Sequence, residues 1–160
     1  MTADTLVLDA STDTYQLVAD RCAVELVVRV LRLPLVWVRL RVISAALDLG
    51  DPGRLRAELA STPRYGSLPF AQRWAMRSIP RRARIRVDAE LPPLSPGATV
   101  HTSATATTGT HTWSVPLDVR LAARDEHGVV LAVRGHIARP PGVLVQGAHL
   151  FVDAAAEFRP

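Results

Sequence analysis

The feature that most narrows what this chain can become is an alternation of apolar and polar residues, with period two, that recurs along most of its length. In an extended backbone successive side chains point to opposite faces, so the alternation marks strands with one buried and one wet face. Val36, Val38, Leu40 and Val42 alternate with Trp37, Arg39 and Arg41, and Ile85, Val87, Ala89 and Leu91 alternate with Arg84, Arg86, Asp88 and Glu90. Val115, Leu117, Val119 and Leu121 face away from Ser114, Pro116, Asp118 and Arg120. Val129, Leu131, Val133 and Ile137 separate in the same way from Arg134 and His136. A last segment puts Leu150, Val152, Ala154, Ala156 and Phe158 opposite Asp153 and Glu157.

Weaker strand patterns run over 15–19, 23–31, 55–59 and 99–107, the last rich in β-branched threonine. Turn residues punctuate the series at Gly50-Asp51-Pro52-Gly53, Pro92-Pro93 through Pro96-Gly97, Gly109, Glu126-His127-Gly128 and Pro140-Pro141-Gly142. One segment breaks the period: Ser67 can cap a helix, Pro69 suits its first turn, and Phe70, Ala71, Trp74 and Ala75 share a face up to Pro80. The expected fold is all-β, an antiparallel barrel of about eight strands with one short helix, over 68–78, as a plug or lid. A chain of 160 residues forms one such domain, 14–160, after an N-terminal tail over 1–13.

Several function classes drop out. Cys22 is the only cysteine, so no intrachain disulfide forms. Residues 1–13 carry Asp4, Asp9 and Asp13 where a secretory leader would be basic and then apolar, which points to a cytoplasmic protein. The apolar stretch from Cys22 to Leu49 is interrupted by Glu25, Arg29, Arg32, Arg39 and Arg41, which rules out a transmembrane helix. The net charge of +4 rests entirely on arginine, in keeping with a coding bias, and Arg84 and Arg86 lie on a strand face that Asp88 and Glu90 continue, so no nucleic-acid partner is expected. Outward stripes of Arg39, Arg41, Arg54 and Arg56 leave room for peripheral contact with anionic headgroups if their strands are neighbours.

No nucleophile elbow, metal-binding HExxH, phosphate loop or CxxC occurs. His101, His111, His127, His136 and His149 are scattered, so neither a metal nor any other cofactor is expected. An enzyme would have to use barrel-lining polar residues such as His101 or His136, and the expectation is that the protein is not one.

The order of elements, with Tyr15 in the first strand, a Gly50-Asp51-Pro52 turn, a helical insert and then four more strands, resembles the YceI-like family from Tyr15 to Phe158. Val38 to Val42 stands where that family has an apolar strand, and Thr62 to Phe70 where it has a polar segment. The nearest local likeness is Gly109-Thr110-His111-Thr112 running into Val115-Pro116-Leu117-Asp118-Val119. The resemblance implies a lipocalin-like barrel that holds a polyisoprenoid or similar lipid in an apolar pore. The residues expected to line it are Leu26, Val28, Val38, Leu40, Phe70, Trp74, Ile85, Val87, Val115, Leu117, Val119, Leu131, Val133, Val152 and Phe158. Two readings stay open: a non-enzymatic carrier of an isoprenoid or acyl chain, and a packed barrel acting as an interaction module, such as a homodimer.

Overall fold

A computed structural model describes residues 14–60, 84–109, 111–138 and 146–160. The alternation resolves into eight strands: β1 (Thr14–Val30), β2 (Leu33–Asp48), β3 (Gly53–Ala60), β4 (Arg84–Leu91), β5 (Thr99–Thr108), β6 (His111–Arg124), β7 (Val129–Ala138) and β8 (Ala148–Arg159). Each pairs antiparallel with the next, and β8 returns to β1, so the sheet is a closed meander barrel. Closure gives every strand a hydrogen-bonded neighbour on both sides. The expected strands over 15–19 and 23–31 are one strand, β1, with an irregularity in its pairing to β8 between Leu17 and Cys22. The helix expected over 68–78 falls outside the described residues, as do residues 1–13.

The two ends of the barrel are built differently. At one end short turns join β2 to β3, β4 to β5 and β6 to β7, and Asp125 ties the last of these by accepting hydrogen bonds from the backbone N–H groups of His127 and Gly128 at 2.8 and 2.9 Å. Gly128 is required there, since a Cβ would collide with the carbonyl oxygen of Phe158 on β8. Tyr15, Leu47, Leu91, Val119, Leu121, Val129 and Phe158 pack this end into a floor, and Leu47, Val119 and Val129 have no exposed surface at all. At the far end β1 turns into β2 through Leu31 and Arg32.

Inside and outside follow the parity of each strand, with two corrections. On β2 the inward residues are even up to Val42 and odd from Ala45 on, because a bulge at Ile43 takes one residue out of the pairing with β3. On β1 they are odd at Tyr15 and Leu17 and even from Cys22, across the irregularity there. The outer face of β3 to β6 carries Arg54, Arg56, Glu58, Arg84, Arg86, Asp88, Glu90, His101, Ser103, Asp118 and Arg120. A barrel that spans a membrane has the opposite arrangement, apolar outside and polar within.

Candidate functional site

Above the floor the interior is hollow. A cavity of about 160 Å³ lies within the barrel, bounded by inward side chains of every strand: Leu17, Cys22, Val24 and Leu26 of β1, Leu40, Val42 and Ala45 of β2, and Leu55, Ala57 and Leu59 of β3. Ile85 and Val87 of β4, Ala104 and Ala106 of β5, and Trp113, Val115 and Leu117 of β6 continue the wall. Leu131, Val133 and Ile137 of β7 and Leu150, Val152, Ala154, Ala156 and Phe158 of β8 close it. Its size matches that of engineered apolar cavities, about 150 Å³, that stay dry and take up a small hydrocarbon.

The hollow has an identifiable cause. Ala45, Ala57, Ala104, Ala106, Ala154 and Ala156 all stand at inward positions of the wall. Register sets Ala156 of β8 beside Cys22 of β1 and Leu131 of β7, and Ala106 of β5 beside Val87 of β4 and Trp113 of β6. A methyl group where the floor has leucine or valine leaves space that the fixed backbone of a closed barrel cannot collapse to fill.

Of the residues expected to line a pore, Leu26, Leu40, Ile85, Val87, Val115, Leu117, Leu131, Val133, Val152 and Phe158 stand in the cavity wall. Val119 is fully buried in the floor and Val28 is buried nearer the far end of β1, so neither reaches the cavity. The side chain of Val38, and Phe70 and Trp74, fall outside what the structure describes. The alanines of the wall carried a sequence signal, small residues at inward parity, that the expected lining, built from larger apolar residues, did not include.

The wall offers little chemistry. Its one titratable group is the thiol of Cys22, half-buried, whose pKa is pushed up by burial, so it is a poor nucleophile at neutral pH. His101 and His136, the residues an enzyme would have placed in the lining, both face outward instead, at exposed positions. His101 contacts Asp118 on the neighbouring strand. His136 and His149 do meet, with Nε2 and Nδ1 2.9 Å apart and His136 stacked on Phe151 at 4.7 Å, but on the outer wall. Among the described residues no group of three His, Cys, Asp or Glu side chains is placed to hold a metal.

The arginine stripes also separate. Arg39 lies toward the far end beside Glu25, at 3.5 Å, whereas Arg54 pairs in register with Asp48 near the floor. Arg54 binds Asp88 through two hydrogen bonds of 2.9 and 2.8 Å, and Arg56 approaches the same carboxylate at 3.8 Å. Arg39, Arg54 and Arg56 are thus the basic halves of cross-strand ion pairs.

Comparison with protein-family models and with curated proteins finds no match. Among solved structures the chain is similar to a polyisoprenoid-binding domain from Saccharophagus degradans implicated in plant cell wall breakdown. The two share 14% sequence identity and a TM-score of 0.54, over 91% of this chain and 97% of that one. The likeness establishes a shared fold, the eight-stranded lipocalin-like barrel.

Proposed function

We propose that the protein binds the hydrocarbon chain of an isoprenoid or acyl lipid inside the barrel and performs no chemistry on it. The observation that carries this reading is the cavity, whose wall is apolar on all eight strands. The sequence resemblance to the YceI-like family and the shared fold with a polyisoprenoid-binding domain support the same ligand class. A methylene moved from water into such a wall gains about 0.8 kcal/mol, roughly fourfold in affinity per carbon, until the chain outgrows the space. Selectivity therefore rests on length and girth, since no polar group in the wall orients a headgroup.

Cys22 supplies a reporter, because it is the only cysteine in the chain and it stands in the wall. Prenyl and acyl chains of graded length, titrated against the purified protein, are expected to slow modification of Cys22 by a small maleimide. Organic extracts of the protein are expected to contain an apolar lipid by mass spectrometry. Unchanged Cys22 reactivity at every chain length, together with lipid-free extracts, would rule the reading out and leave an interaction module without a ligand.

A further inference from the structure

The outer wall at the far end does not match the rest of the surface. Leu31, Leu33 and Trp37 are 89%, 66% and 66% exposed. Trp37 stands in register with Val27 of β1, and Val27 with Phe151 of β8, so the apolar surface runs across three strands. Two arginines sit within it: Arg29 stacks over the Phe151 ring at 5.1 Å, and Arg32 is in the turn, with no acidic partner among the described residues. From Leu26 to Val38 the chain contains Arg29 and Arg32 and no Asp or Glu.

The turn is costly for the residues it contains. Val30 pairs with Leu33, which leaves a two-residue hairpin in which Leu31 and Arg32 adopt φ of 50° and 69°. Such turns favour Asn-Gly, and a bulky residue held at positive φ costs about 1 kcal/mol or more. Leu31 is 89% exposed and Arg32 is exposed beside it, which directs attention to a partner outside the chain.

One register step of two residues toward the floor the surface changes. Arg39, Glu25 and Asp153 follow on the same three strands as a belt of charged residues. A lipid surface with anionic headgroups fits this sequence of layers. Leu31 and Leu33 reach the acyl boundary, Arg29 and Arg32 meet phosphates, and Trp37, about 10 Å back along the tilted strand, lies at headgroup level. The charged belt then stops further entry, because immersing it would strip its carboxylates and guanidinium groups of water.

We infer that the β1–β2 turn and the adjoining Trp37, Val27 and Phe151 surface form a docking site for an anionic phospholipid bilayer. Docking there brings the end of the barrel that holds the cavity, reached by Leu26 and Leu150, against the membrane.

Flotation with phosphatidylcholine vesicles and with vesicles containing three parts in ten of phosphatidylglycerol tests this. Binding is expected to be at least tenfold tighter to the anionic vesicles and to weaken with salt. Arg32→Gln is expected to lower it about fivefold, and the double substitution Leu31→Ser with Leu33→Ser to abolish it. Trp37 emission is expected to shift to the blue and to be quenched by brominated lipid, a signal that Trp37→Phe removes. Ala156→Leu, which fills the cavity, is expected to bind vesicles as the parent does, so loss of ligand binding and loss of docking are read separately. Equal binding to neutral and anionic vesicles, or none, overturns the inference. So does a concentration-dependent dimer in sedimentation that the Leu31 and Leu33 substitutions dissolve while vesicles stay unbound, which assigns the surface to a second copy of the chain.

Discussion

The floor and the hollow half of this barrel share the same eight strands, the same pairing and the same aliphatic chemistry, yet one is packed solid and the other holds a cavity. The difference is the size of a handful of inward side chains. Leu47, Leu91, Leu121, Val129 and Phe158 meet at the floor, while alanines from β2, β3, β5 and β8 stand around the hollow. Rigidity and capacity are thus divided along the barrel axis, and the division can be tested by substitution.

The largest effect is expected at the floor. Leu47→Ala should destabilise the barrel by about 3–5 kcal/mol, as for other fully buried leucines, and shift the urea midpoint accordingly. Leu26→Ala, in a wall that already borders empty space, should cost about 2 kcal/mol or less. Equal losses at the two positions would break the distinction between the halves.

Filling tests the same contrast from the other side. Ala156→Leu is expected to lower affinity for a bound hydrocarbon chain at least tenfold while changing stability by less than about 1 kcal/mol, because the added side chain enters existing space. The same change at Ala89, which is 1% exposed within the packed cluster, should overpack the core and cost about 1–3 kcal/mol. Calorimetry of both variants, with ligand titration of the first, decides the outcome.

The smallest effect lies on the outer wall. The hydrogen bonds from Arg54, with help from its charge and that of Arg56, hold the Asp88 carboxyl below the usual carboxylate range. A depressed folded pKa stabilises above the unfolded value of about 3.9, and that contribution is lost as pH falls through the folded value. Asp88→Asn should therefore cost about 0.2–1 kcal/mol at neutral pH, since the group is half exposed, and the gap to the parent should close in acid. A gap that persists at low pH would mean that packing, not charge, holds β3 to β4.

Much of the barrel was legible because period two is a local property. The segments at 85–91, 115–121 and 129–137 needed only their own residues to show which face was buried, and the closed sheet followed from their number. What escaped was whatever depends on neighbours. The bulge at Ile43 reverses the parity of β2, and nothing in Val42-Ile43-Ser44 announces it. The Leu31-Arg32 turn contains neither glycine nor asparagine, so no turn signal marks the β1–β2 hairpin. Whether the interior was filled depended on which alanines face one another across the barrel, and that is a matter of register between strands more than 30 residues apart, such as β8 and β1.

That last pairing has a consequence for how the molecule comes into being. Val24 of β1 waits for Ala154 of β8, nearly the whole chain later, before the sheet can close. Distant pairings form late and slowly, and during synthesis the first seven strands precede their seam. In that interval β1 and β7 are open edges beside an apolar trough that is part of the future cavity. The outward Glu25 and Arg29 on β1 and Arg134 on β7 then act as gatekeepers of the growing polypeptide, discouraging two unfinished barrels from zipping together.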